Sequence, residues 1–261
     1  MSDTPEVDAA QPADAETALA QKSPSATALA SVVTYSVLGG LCPLIPVPFI
    51  DDIILTFIQR RMAQTLCVVH GFHPTSGQVK ALSREASGCP LGCLWAVFIY
   101  PLKKVLKKVL YFLSIKGCVD VTSTMLHRGY LLNHCLSTGL ITQDRGADQA
   151  HLVRVQDAIL AACREVDPRP INQVLKRIFG ASKVLMRGTA RGMWSLFRSE
   201  RKKDPSHQEE SMERALDRAE TEQATGLRRV FKELGAEIWT QEGYLKDLVA
   251  AFQAAYQKDT P

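Results

Sequence analysis

An adjacent pair of carboxylates, Asp51 and Asp52, is the first group of side chains whose chemistry could matter. Two neighbouring aspartates can bind a metal ion or act as acid and base. Either role needs a histidine or a second acidic cluster at ligand spacing, and the sequence has none nearby. The pair opens an apolar, helically spaced segment, where carboxylates accept hydrogen bonds from the free amides of a first turn. We therefore interpret it as a helix cap.

Histidines and cysteines add no stronger signal. His70 and His73 could be ligands, but two histidines at a helix end are more often polar surface residues. Cys89 and Cys93 are spaced like metal ligands, but a proline lies between them and no second pair follows. The seven cysteines are odd in number and scattered, which indicates a reducing compartment and small buried side chains. We predict no metal and no cofactor.

Catalytic and nucleotide-binding motifs are also absent. The chain contains no GxxxxGK[ST], no helix-opening GxGxxG, no HExxH and no GxSxG. Its 261 residues are 46% hydrophobic, enough for a core, and a mean hydropathy of −0.04 is too polar for a multi-span transporter. The sequence therefore predicts a non-catalytic protein that is either soluble or bound along a membrane.

A proline corner organises the N-terminal half. Its members are Pro43, Pro46 and Pro48, which fix φ and keep the residues before them out of the α region. Gly39 and Gly40 precede the corner and predict the end of a helix over about residues 28–38. The outgoing helix starts with the aspartates and stops near Gly71. The sequence thus predicts a helical hairpin around the corner.

This hairpin resembles the first hallmark of a bacterial helical domain family of unknown function. The run PLIPVPFIDDIILTFIQRRMAQTLCVVHG carries the resemblance, through Pro46, Pro48, Asp51, Gln59, Met62 and Gly71. The likeness covers about residues 28–139, although LSIKGCVD replaces the family's later proline-glycine turn. The family is commonly described as membrane-associated and is fused to, or encoded near, GTPase domains. The resemblance implies a helical fold, a bacterial membrane location and a GTPase partner supplied in trans.

Two uncharged stretches fit a membrane location. Residues 23–50 are long enough to cross a bilayer, which needs roughly 20 apolar residues as helix. The glycines and prolines split this stretch, so a re-entrant hairpin fits better than a clean span, and a buried soluble hairpin fits equally well. The second uncharged stretch, residues 86–102, includes Trp95 and Tyr100.

A lysine-faced segment, residues 101–116, follows directly. At helical spacing its apolar side chains occupy one arc and its lysines, Lys103, Lys104, Lys107 and Lys108, occupy the opposite arc. With Trp95 and Tyr100 beside it, the pattern is typical of an interfacial helix that binds anionic lipid, at about 1 kcal/mol per lysine. The alternative is an ordinary surface helix whose lysines are solvated.

Residues 169–203 form a basic strip whose only acid is Glu200. Its candidate binding residues are Lys176, Arg177, Lys183, Arg187, Arg191 and Arg198. The strip could bind anionic lipid, a partner groove or, less favourably, nucleic acid, because apolar side chains are interleaved with the charges. A solvated helical hairpin is the alternative. The acidic helices that follow, separated near Gly235, could fold back on it.

Four segments follow from these patterns: an acidic, disordered leader (1–24), an apolar helical domain (25–166), the basic segment (167–203) and a C-terminal helical pair (204–261). The predicted fold class is all-α. The predicted function is a membrane-associated scaffold on the cytoplasmic face of a bacterial inner membrane, with a GTPase or other protein as partner. The alternative is a soluble nucleic-acid-binding or adaptor protein that uses the basic strip.

Overall fold

The computed structural model describes residues 24–44, 50–83, 107–143, 148–203 and 208–258. These residues form α-helices and no strand, which confirms the all-α prediction. The helices are α1 Pro24–Gly40, α2 Ile50–Val69, α3 Ser76–Leu82, α4 Lys107–Ser137, α5 Gln149–Glu165, α6 Arg169–Ala181, α7 Lys183–Lys203, α8 Gln208–Ile238 and α9 Glu242–Lys258. A short 3-10 turn, Cys42–Leu44, follows α1.

Helix α4 lies at the centre of the bundle. It packs against α1, α2, α5, α6 and α9, so residues far apart in the chain share one core. Helix α4 is continuous from Lys107 to Ser137. No proline interrupts it, and its two glycines, Gly117 and Gly129, are tolerated because helix packing outweighs their low helix propensity. At 1.5 Å per residue, α4 is roughly 46 Å long.

Glycines allow α1 and α4 to cross closely. A Cβ atom added at Gly129 would lie 2.8 Å from Val32 Cγ1, and one at Gly40 would collide with the Thr122 hydroxyl. Gly117 of α4 faces Pro43 of the 3-10 turn. Contact positions fall along α4 as they rise along α1, so the two helices are antiparallel. At Gly129 and Gly40, a residue with a side chain would not fit this crossing.

The predicted hairpin is confirmed in its described part. Helix α1 ends at Gly40, as the glycine pair predicted, and α2 ends two residues before Gly71, whose φ of 75° is a left-handed conformation. The Tyr35 hydroxyl hydrogen-bonds Thr65 Oγ1 at 3.0 Å and ties α1 to an antiparallel α2. Helix α1 is largely enclosed by α2, α4 and α8.

The C-terminal helical pair also forms, but its break is not at Gly235. Helix α8 continues through this glycine to Ile238, and the chain turns at Trp239 and Thr240. Gly235 lies against α1, near Val33, so the position without a side chain serves helix packing rather than a turn.

Candidate functional site

The corner end of the bundle is where α1 finishes, the 3-10 turn lies, and α2 and α4 begin. The close approach of Gly117 to Pro43, 3.3 Å from an added Cβ to the Pro43 Cβ, fixes the start of α4 beside the corner. Residues 107–116 of α4 continue beyond this contact by about 15 Å. Helix α7 also contacts the 3-10 turn. The 3-10 turn of the uncharged stretch therefore lies beside the lysine-bearing helix, about 15 Å from the first residue of that helix.

Several corner residues predicted from sequence fall outside the described residues. Pro46 and Pro48 do, whereas Pro43 is half-buried. Helix α2 begins at Ile50, so Asp51 and Asp52 are its second and third residues, in the first turn as predicted. Their side chains are not described, and the capping role stays a prediction.

The structure describes only residues 107–116 of the lysine-faced segment. Trp95, Tyr100, Lys103 and Lys104 lie outside the described residues. Lys107 and Lys108 are the first two residues of α4, with side chains that are not described. Lys116, at the end of the segment, is exposed. The helical conformation predicted for residues 107–113 is therefore present, while its lipid-binding role stays a prediction.

The basic strip forms two helices, α6 and α7, joined at Ser182. The side chains of Lys176, Arg177, Arg191 and Arg198 are exposed, whereas those of Lys183 and Arg187, in α7, are not described. Arg177 forms an ion pair with Glu237 of α8. This contact agrees with the expectation that acids of the C-terminal pair fold back on the strip, and it engages one of the strip's cations.

Several of the apolar side chains interleaved in the strip are enclosed by the fold. Val174, Leu175, Ile178 and Phe179 of α6 are buried in the core, as is Met193 of α7. The interpretation that they suit a lipid surface or a groove is wrong for these residues. Helical spacing collects them on one face, and that face packs on α4 and α8. The charged side chains of Lys176, Arg177, Arg191 and Arg198 are on the outer surface.

A hydrogen bond between a buried histidine and a half-buried tyrosine links α9 to the centre of the bundle. His127 Nε2 and the Tyr244 hydroxyl are 2.8 Å apart, and only 4% of His127 is exposed. Burial lowers the pKa of His127 from 6.5 to about 4 and raises the pKa of Tyr244. The imidazole is therefore neutral at pH 7, and the phenol keeps its proton. The two residues are 117 positions apart, and neither stands out in the sequence.

A second buried polar cluster lies between α2, α4 and α5. Arg128 is 7% exposed and donates from Nη2 to the Ser83 carbonyl at 3.3 Å. Gln59 and Gln156 line the same small void, whose volume of about 10 Å³ is near the size of one water molecule. Arginine in a core is held by hydrogen bonds and does not titrate near neutral pH. This arrangement suits alignment of three helices rather than acid–base chemistry.

The candidate ligands His70 and His73 have different hydrogen-bond partners. His70 Nε2 hydrogen-bonds Asn133 Oδ1 at 2.8 Å, while His73 is exposed and its backbone amide donates to Gln143. Within the described residues, no group of three histidine, cysteine or acidic side chains could hold a metal ion. Cys89 and Cys93 lie outside this part of the chain.

No family model, curated protein or solved structure matches the chain. One described segment, Ala26–Leu44, is long and apolar enough to cross a membrane, and 61% of its most apolar window is buried inside the fold. The core helix of a soluble protein passes the same test, so length and composition alone do not decide between the two.

Proposed function

We propose that this protein is a non-catalytic helical scaffold that attaches to the cytoplasmic face of a bacterial inner membrane through its corner end. The observation that supports the proposal is the contact between Gly117 and Pro43. It brings the end of the first uncharged stretch beside a helix that begins with Lys107 and Lys108. Clustered lysines next to apolar and aromatic residues are attracted to anionic headgroups.

Attachment at one end leaves the rest of the bundle free to recruit a protein. The part of the bundle away from the corner end would then face the cytoplasm. The family resemblance makes a separate GTPase the favoured partner class. Such a scaffold needs no active site, which is consistent with a chain that carries none of the common catalytic motifs.

Flotation with vesicles of phosphatidylglycerol and phosphatidylethanolamine at low salt tests the attachment. Two variants, each with four cations replaced by glutamine, separate the corner end from the basic strip. The first replaces Lys103, Lys104, Lys107 and Lys108; the matched control replaces Arg169, Lys176, Arg191 and Arg198. We expect the first to lose most vesicle binding, at least tenfold given about 1 kcal/mol per lysine, and the control to keep it. Failure of the wild-type protein to float would refute attachment.

A second candidate function is supported by the basic strip. Lys176, Arg191 and Arg198 of the strip are exposed, whereas the apolar face of α6 is buried. That combination suits a nucleic-acid backbone, where binding weakens linearly with the logarithm of salt concentration. Fluorescence anisotropy with a DNA duplex checks it. Salt-dependent binding that disappears in the strip variant supports this function, and its absence excludes it.

A further inference from the structure

A surface cleft of about 230 Å³ lies where α2, α3 and α8 meet. Arg60 and Arg61 of α2 and Lys80 of α3 contribute cations to its walls, and Glu213 and Asp217 of α8 contribute carboxylates. These residues come from three separate stretches of the chain. A concave site with a few convergent charged groups and some apolar surface is the usual form of a small-ligand site.

An ion pair across the cleft joins two of its walls. Arg61 Nη2 lies 2.8 Å from Asp217 Oδ1, which ties α2 to α8. Arg60, Lys80 and Glu213 also line the walls. The Arg60 guanidinium lies over the Phe57 ring, 5.7 Å from its centroid, so a cation–π contact positions it. The cleft therefore has a cationic part on α2 and α3 and a carboxylate on α8.

We propose that this cleft binds a small phosphate monoester that carries hydroxyl groups. A guanidinium and an ammonium group together suit a phosphate dianion, with charge-assisted hydrogen bonds to its oxygens. A bare anion would be repelled by Glu213, whereas ligand hydroxyls can donate to that carboxylate. Phe57, Val79 and Leu216 supply apolar contact for a carbon skeleton. The volume suits a ligand smaller than a typical drug.

The assignment does not depend on membrane attachment, and calorimetry in the absence of vesicles tests it. The probes are glucose 6-phosphate, inorganic phosphate and glucose, each titrated into the full chain. We expect saturable binding of glucose 6-phosphate in the millimolar range or tighter, weaker binding of phosphate, and none of glucose. Equal affinity for glucose 6-phosphate and phosphate would overturn the role of the hydroxyl groups.

Substitutions locate the binding. Arg60→Gln and Lys80→Gln should each weaken glucose 6-phosphate binding about tenfold, because each removes a charge-assisted hydrogen bond. Glu213→Gln should weaken the binding of glucose 6-phosphate but not the binding of inorganic phosphate. Lys246→Gln, at an exposed lysine of α9, is the matched control and should bind as wild type. Unchanged affinity in the Arg60→Gln, Lys80→Gln double variant, or no saturable binding of either phosphate together with no vesicle binding that depends on Lys80, would overturn the proposal.

A phosphate monoester beside free hydroxyl groups is also present in the headgroup of phosphatidylinositol 4-phosphate. Flotation with vesicles that contain this lipid distinguishes the two sources of the phosphate monoester. Vesicle binding that Lys80→Gln abolishes, together with no binding of glucose 6-phosphate, assigns the site to a lipid headgroup. Binding of glucose 6-phosphate with vesicle binding unaffected by Lys80→Gln assigns it to a soluble ligand. If the Lys80→Gln variant keeps both glucose 6-phosphate binding and vesicle binding, the proposed site is contradicted.

Discussion

His127 shows how one side chain ties the last helix to the bundle. Its ring nitrogen lies 2.8 Å from the Tyr244 hydroxyl, and the two rings are 5.6 Å apart, so α9 docks on α4 through both a hydrogen bond and ring packing. The Tyr244 hydroxyl can donate to an unprotonated Nε2 or accept from a protonated one, so this hydrogen bond fits either form of the ring. Burial is what keeps His127 neutral.

The burial of a neutral His127 predicts that the fold is sensitive to acid. The pKa of His127 falls from 6.5 in the unfolded chain to about 4 in the fold, so between these values the unfolded state binds a proton that the folded state does not. The free energy of unfolding should therefore drop as pH falls from 6.5 to 4, by roughly 3 kcal/mol in total. Urea unfolding at several pH values measures this. His127→Gln should remove that part of the slope, and an unchanged slope would contradict the prediction.

At the scale of elements, the antiparallel crossing of α1 and α4 holds the bundle together. Gly129 and Gly39 let the helices approach until Val32 and Met125 fill the space above them. Since α1 is also covered by α2 and α8, this crossing lies inside the core rather than on a surface. A methyl group added there has no room unless the neighbours move, and well-packed interiors resist such movement.

Gly129→Ala tests the tightness of the crossing. Alanine favours a helix over glycine by about 1 kcal/mol, but its Cβ would lie 2.8 Å from Val32 Cγ1 and 3.0 Å from Met62 Sδ. Overpacking of this kind costs about 1–3 kcal/mol, so after the gain in helix propensity we expect net destabilisation of up to about 2 kcal/mol in urea unfolding.

Gly180→Ala is the matched control for this crossing. Gly180 is a helical glycine of α6 with open space around its Cβ position, so its substitution should be neutral or slightly stabilising. Equal effects of the two substitutions would mean that the crossing is loose.

For the whole molecule, local signals in the sequence predicted the elements, while contacts between elements had no local signal. The glycines before the corner and Gly71 marked helix ends, because such signals depend on neighbouring residues alone. The helix break predicted at Gly235 was wrong, because a glycine that packs against Val33 has the same sequence signature as one that ends a helix. The His127–Tyr244 pair and the cleft combine distant segments, which periodicity cannot bring together.

The orientation of the bundle on a membrane follows from the corner end and can be measured with two probes on one helix. Ile53 and Val68 are both exposed on α2, at 41% and 48%, and lie about 22 Å apart along it. Ile53 is at the corner end and Val68 is at the other end. Each can be replaced by cysteine and labelled with the environment-sensitive fluorophore NBD.

Native thiols do not interfere with this labelling in a background of Cys89→Ser and Cys93→Ser. Burial raises the pKa of Cys67, Cys118 and Cys135 to about 12, and that of Cys163 likewise, so these thiols are not ionised at pH 7. Cys42 is buried as well. The introduced cysteine is then the reactive group among the described residues.

The decisive measurement is the NBD emission of each labelled protein when vesicles of phosphatidylglycerol and phosphatidylethanolamine are added. We expect the probe at position 53 to shift to shorter wavelength and gain intensity as it leaves water, while the probe at position 68 stays unchanged. A response at position 68 alone, an equal response at both, or none at either would contradict attachment through the corner end.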